Sequence, residues 1–168
     1  DFYRLAERRL ASDGLFVQWL QTYQISIDTY RAVLGTFQSV FPEVMVFHPP
    51  GGTDTILVGS RQPLTVDLAT LEQRWGFPAT RADLARIGMQ APEYLLATLL
   101  LGPDGARQLA DGAQLNTDNN MLVEFRGPRD MEADVVESSQ ELFAVLEALA
   151  PPPESMLTDP AALLSSPE

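Results

Sequence analysis

The sequence predicts an α/β fold, in which a sheet of buried strands ends in an antiparallel hairpin and is followed by a mainly helical extension. Three observations predict it. The apolar run "LFVQWL" at 15–20 is bounded by Gly14 and a polar loop, the form of a strand buried on both faces of a parallel sheet. After Ser26, apolar residues recur every three or four positions through Ile27, Tyr30, Val33, Leu34, Phe37, Val40 and Phe41, which is helical spacing. The runs "VMVFH" and "DTILVGS" are then joined by only "PPGGT", a connection too short for a crossover helix, so these two strands must pair antiparallel.

Each element follows from its residues. In "DFYRLAERRL", Phe2, Leu5 and Leu10 stand at helical spacing and "ASDG" ends the helix. Ser26 caps the second helix and Pro42 stops it; Gly51 and Gly52 supply the hairpin turn. Beyond Pro63 four short helices are expected. Asp67 caps "LATLEQRW", Thr80 and Asp83 start "RADLARIGM", Pro92 suits the first turn of "PEYLLATLLL", and Pro103 opens "DGARQLA". "LNTDNN" reads as a turn, and "MLVEFR" as a short strand with Leu122, Glu124 and Arg126 on one side, closed by "GP". Ser138 begins a Ser-x-x-Glu capping box for a helix carrying Leu142, Val145, Leu146 and Leu149.

The order helix, strand, helix, strand, strand is how the class I methyltransferase type of Rossmann-like sheet ends. Residues 1–62 therefore read as the C-terminal half of such a sheet. Residues 63–131 read as a helical extension with a short strand, 132–150 as an acidic helix, and 151–168 as a proline-rich tail expected to be disordered. No Gly-x-Gly loop follows an early strand, and no acidic residue ends a second one. Those features would hold an adenosyl cofactor, so no cofactor-binding residue is assigned. The sequence opens on Asp1 rather than Met, and a piece of a longer protein is expected.

Composition narrows the function. The 168 residues are 45% hydrophobic with a net charge of −12. Nucleic acid is excluded as a partner, since phosphate binding requires a basic face. From Asp130 onward there are nine acidic residues and no basic one, whereas the first 129 residues carry a net charge of only −3. All eleven basic residues are Arg, which removes Schiff-base lysine chemistry, and without cysteine there is no thiolate nucleophile or disulfide. The longest apolar run, "YLLATLLL", is far short of the roughly 20 residues of a membrane span. A soluble segment is expected, in the cytoplasm, from a polypeptide that is membrane-anchored elsewhere.

The stretch "FYRLAERRLASDGLFVQWLQTYQISIDTYRAVLGTFQSVFP", with the later "LNTDNNMLVEFRGPR", resembles the second half of the spermidine synthase-like proteins. These are the polyamine aminopropyltransferases, and the resemblance is especially to the bacterial members fused to membrane segments. The resemblance spans about residues 1–131. It implies a Rossmann-like enzyme that transfers an aminopropyl group from decarboxylated S-adenosylmethionine, as co-substrate, to putrescine or a related polyamine. It also implies that the glycine-rich cofactor loop and the catalytic acid lie upstream, so that this chain alone is inactive. The alternative is a non-catalytic docking or regulatory module of the same descent. Expected partners are the missing N-terminal half or another chain along an exposed strand edge, with homo-oligomers.

Four residues are candidates for substrate binding, and none for catalysis. Gln18 matches the family position where a glutamine near the strand end reaches the pocket; a buried amide without a partner costs about 1–3 kcal/mol, so it must bond to something, and a backbone group is the alternative partner. Tyr23, beside Gln24, lies where the family often has tyrosine. His48, the single histidine, stands where the family commonly places a tyrosine against the polyamine, and an imidazole can serve as a proton acceptor. Asp118, with Asn116 and Thr117, could face a cation, although the same three residues make turns. Glu124 and Arg126 read as a surface pair, and Trp19, alternating with Val17, as core. No metal site is expected.

Overall fold

A computed structural model describes residues 1–132 and 135–160. The chain forms α1 (Phe2–Glu7), β1 (Phe16–Gln21), α2 (Ile27–Gln38), β2 (Glu43–Phe47), β3 (Asp54–Ser60), α3 (Leu68–Trp75), α4 (Pro78–Arg86), α5 (Glu93–Ala97), β4 (Leu99–Leu101), α6 (Pro103–Ala110), α7 (Leu122–Asp130) and α8 (Val135–Ala148), then a 3₁₀ turn at Pro153–Met156. The four strands make one open sheet in the order β1-β3-β2-β4, and every neighbouring pair is antiparallel. Because β3 runs against both of its neighbours, β1 and β2 run parallel to each other, and α2 is the crossover between them.

The expected hairpin is present: β2 and β3 pair from Glu43↔Ser60 to Phe47↔Ile56, and Gly51 turns it at φ 74°. The Ser26 hydroxyl accepts from the Thr29 amide at 3.3 Å and so caps α2. The Asp67 carboxylate accepts from the Ala69 amide at 3.2 Å and caps α3.

Alternation along the strands separates two faces. Phe16, Gln18 and Leu20 of β1, Val44 and Val46 of β2, Thr55, Leu57 and Gly59 of β3 and Leu101 of β4 share one face by register. On it lies the main core, where Tyr30, Leu34, Phe37 and Phe41 meet Leu109 of α6 and Leu142 and Leu146 of α8. The helical extension and the acidic helix therefore share one core with the first 62 residues. Phe16 stacks on Phe41 with ring centroids 5.3 Å apart, directly over Gly59, its register partner. A Cβ at Gly59 would stand 2.5 Å from the Phe37 ring and 2.8 Å from the Phe41 Cβ, so only glycine allows the aromatic pair to press onto the sheet.

A second, polar tie binds α2 to two strands. The buried Thr55 hydroxyl donates to the Leu20 carbonyl at 2.9 Å, which leaves its oxygen to accept from the Tyr30 hydroxyl at 3.0 Å. Tyr30 is fully buried, and burial pushes its hydroxyl pKa far above the ordinary value, so it stays protonated and able to donate.

Several expectations are corrected. Among the described residues β1 is neither buried on both faces nor flanked by parallel strands: it is an edge strand whose one direct neighbour there, β3, is antiparallel. Trp19 is not core; it is 52% exposed, with Leu15 and Val17 beside it at 51% and 56%. "MLVEFR" is helical from Leu122, in α7, where Glu124 and Arg126 form no ion pair among the described residues. Its start is fixed by side chains that local pattern did not weigh: the Asn116 Oδ1 accepts from the Val123 amide and the Asn120 Oδ1 from the Leu122 amide. Helix "PEYLLATLLL" stops at Ala97 because Leu99–Leu101 is claimed by pairing with β2. α4 starts at Pro78 and α8 at Val135, earlier than the capping patterns implied. Residues 151–160 are docked rather than loose, with Leu157 bridging Val66 and both Met156 and Leu157 buried; residues 161–168 lie outside the described residues.

The Gly59 contact gives a test. Gly59→Ala should destabilise the fold by about 1–3 kcal/mol, the usual cost of overpacking, read as a lower midpoint in urea with an unchanged slope.

Candidate functional site

Parallel β1 and β2 bring their carboxyl ends to the same end of the sheet, and the segments that follow them form the candidate site. After β1, the Thr22 amide and hydroxyl both donate to the Thr53 carbonyl of the β2–β3 turn. This joins the two loops. Gln24 then takes a left-handed conformation at φ 49°. Its amide donates to the Ser138 hydroxyl at 3.1 Å and its side chain to the Met131 carbonyl at 3.0 Å, so the loop is held by the segment leading into α8 and by α8 itself.

After β2, the His48 amide donates to the Thr98 carbonyl at 2.7 Å, and its Nδ1 lies 3.0 Å from the Asp54 carbonyl oxygen. A carbonyl only accepts, so Nδ1 carries the proton and, in the neutral ring, Nε2 is left as the acceptor. The imidazole meets the Phe143 ring edge-on at 4.6 Å. Around it opens a cleft of about 530 Å³, lined by His48, Thr53, Leu100, Ser139, Gln140, Phe143, Ala144 and Glu147. Ser139 is 8% exposed, and its hydroxyl has no partner among the described residues. A second cleft of about 490 Å³ lies past the end of β1, where Asp28, Asp130 and Glu141 surround Ser26 and Ser138, with Arg129 as the one cation among the described residues that line it. Within it, Asp130 accepts from both the amide and the hydroxyl of Ser26 at 3.0 Å. α8 thus separates two clefts whose rims carry carboxylates, a field that favours a cation.

The four candidate residues divide into two groups. Tyr23 and His48 stand in the segments that meet at the carboxyl end. Gln18 and Asp118 are elsewhere. Gln18 is mid-strand beneath α1 and hydrogen-bonds the Tyr3 hydroxyl, which burial drives above its ordinary pKa while this bond pulls it partly back. The amide is thus partnered by a side chain from the preceding helix, a contact with no local sequence signature. Asp118 is exposed and lines a separate polar depression of about 290 Å³ with Tyr3, Thr36 and Asn116. Its neighbours Asn116 and Thr117 are engaged in turn and cap bonds.

Sequence reasoning missed Ser139, Phe143 and Glu147, which α8 brings to His48 across more than ninety residues of chain. The available signal was the i, i+4, i+8 spacing of 139, 143 and 147, which puts them on one helix face. Among the described residues, no group of three or more His, Asp or Glu is placed to hold a metal, and no helix is long and apolar enough to cross a membrane.

A double-mutant cycle tests the role of Gln18. Gln18→Leu should cost about 1 kcal/mol by orphaning the Tyr3 hydroxyl, and much less when Tyr3→Phe is already present. Equal costs in both backgrounds would mean that Gln18 spends its amide elsewhere. No family model, curated protein or solved structure matches this chain.

Proposed function

We propose that the chain is the C-terminal portion of a spermidine synthase-like aminopropyltransferase and forms the wall that holds the polyamine acceptor. The observation that carries this reading is the meeting of His48, Phe143, Ser139 and Glu147 in one cleft beyond the carboxyl end of β2, the end at which ligands bind in open α/β sheets. Support comes from the strand arrangement, two parallel strands with an antiparallel one inserted between them, which is the ending expected of a methyltransferase-like sheet.

The cleft chemistry suits an alkyl diamine. Leu100, Phe143 and Ala144 offer apolar and aromatic surface to a methylene chain, Glu147 offers a carboxylate to an ammonium, and the Phe143 ring face adds cation–π attraction. His48, held in one tautomer, presents an acceptor to an N–H group. In the reaction, the free amine attacks the propyl carbon next to the sulfonium of decarboxylated S-adenosylmethionine. The carbon–sulfur bond breaks toward methylthioadenosine and the amine gives up a proton to a base. The glycine-rich loop for the co-substrate and the orienting acid belong, on this reading, to another part of the protein, and this chain by itself is inactive. The second reading, a docking or regulatory module without catalysis, is favoured by one observation: α8 packs across the carboxyl end and its Phe143 meets the His48 ring edge-on.

Calorimetry on the natural polypeptide that carries these residues decides between them. Heat from both methylthioadenosine and putrescine supports the enzyme; no heat from either removes it. In the same assay Glu147→Gln should weaken putrescine binding by about threefold to tenfold at low salt, with the difference shrinking as salt is raised, since the carboxylate is exposed and screened.

A further inference from the structure

The outer edge of β1 is an unfinished one. The Thr22 amide donates to the Thr53 carbonyl, so in the register with β3 residues 16, 18, 20 and 22 aim their backbone groups at β3. The N–H and C=O groups of Val17, Trp19 and Gln21 then point outward, and no strand among the described residues lies beyond them. Edge strands are ordinarily blunted by a charge, a proline or a bulge. β1, "FVQWLQ", has no charge and no proline, and its register with β3 is unbroken. Both faces beside the edge also expose apolar side chains. Phe2 and Leu5 of α1 are 67% and 58% exposed on one face, and Leu15, Val17 and Trp19 are bare on the other. That second face runs into an apolar groove of about 340 Å³ formed by Leu15, Ile56, Val58, Met45 and Leu64 among others.

Handedness identifies the occupant. α1 and α2 lie on the same face of the sheet, with Tyr3 edge-on to Phe37 at 5.3 Å. Crossovers between parallel strands are right-handed in about 98% of cases. α2, on this face, carries the chain from β1 across to β2. A helix on the same face that feeds into β1 with the same hand comes from a strand on the opposite side of β1, and that side is the free edge. We infer that the β1 edge is the junction with a parallel strand of an α/β body, the strand whose crossover helix is α1, and that this body covers Val17 and Trp19 on one face and Phe2 and Leu5 on the other. A lone extended peptide would satisfy the backbone but leave Phe2 and Leu5 in water. A second copy paired about a twofold axis would run antiparallel and leave α1 without its strand. That this body is the one holding the glycine-rich loop rests on the aminopropyltransferase reading; the junction itself does not.

Hydrogen exchange on the natural polypeptide tests the junction. The outward amides of Val17, Trp19 and Gln21 should be protected to within about tenfold of the inward amides of Gln18 and Leu20, because both sets would open only with the sheet, and dilution should not change this. Outward amides exchanging about a hundredfold faster than inward ones would overturn the inference. So would protection that fades on dilution, which would give the edge to a second copy. Trp19→Lys supplies an independent reading: it should lower the Tm of that polypeptide by several degrees, and an unchanged Tm would mean that the face is solvent-exposed. Protected amides without heat from methylthioadenosine or putrescine would keep the junction and discard the enzyme.

Discussion

The structure depends on how closely α2 approaches the sheet, and the approach is set at Gly59. Phe37 and Phe41 lie where a side chain on β3 would have been, with Phe16 stacked on Phe41 and Tyr3 against Phe37. This aromatic group fastens α1, α2, β1 and β3 at one end of the sheet. The Tyr30–Thr55–Leu20 hydrogen bonds fasten α2, β3 and β1 at the other end. With the crossover helix clamped at both ends, β1 and β2 are held parallel across the intervening β3. The arrangement of the carboxyl-end loops follows: the loop after β1 and the turn after β2 emerge together, and Thr22 and Thr53 join them.

What occupies that end of the molecule is α8. Leu142 and Leu146 are its anchor in the core. Because side chains three and four apart share a helix face, fixing those two also fixes Ser139, Phe143 and Glu147 toward His48 and Ser138 toward Gln24. The acidity of the C-terminal segment thereby acquires a location. Glu141 and Glu147 are carried to the rims of the two clefts, and Asp130 holds the capping residue Ser26 at the α2 N-terminus, where the helix end favours an anion. A net charge of −12 would say little about a site if it were spread evenly; here part of it borders the loops that follow two parallel strands.

Elements defined by their own periodicity were legible in the sequence. α2, with its Ser26 cap, and the β2–β3 hairpin with its glycine turn needed no information from elsewhere in the chain. The failures share a different cause. "MLVEFR" has the composition of a strand, but Asn116 and Asn120 supply the amide partners of a helix start. Leu99–Leu101 continues a helical run and is taken by β2. Trp19 alternates with Val17 as a core residue does, and whether that face is buried depends on what lies beyond β1, which no local pattern encodes. The site was legible only in part for the same reason. Tyr23 and His48 could be placed by strand ends, whereas Gln18 is diverted to Tyr3, and the α8 contribution arrives from the far end of the chain.

The exposed Trp19 and the buried Tyr30 belong to opposite sides of the same sheet, and the contrast bears on how stability is distributed. On the covered face the strands are tied to helices by apolar packing, and β3 and β1 also by the Tyr30–Thr55–Leu20 hydrogen bonds, whose loss would orphan a buried polar group at about 1–3 kcal/mol. On the other face β2 and β4 are covered by Leu64 and Met156, whereas Ile56 and Val58 of β3 line the open groove and the cover stops short of β1. Opening free energies track the burial that an element loses when it opens, so β1 is held by one ladder and one face where β3 has two ladders. The strand that leads into Tyr23 and Gln24 is thus the least supported of the sheet's long strands. Any element that completes the sheet beyond it would also stiffen the loop that follows, so the geometry at the candidate site depends on the edge as much as on the residues that line it.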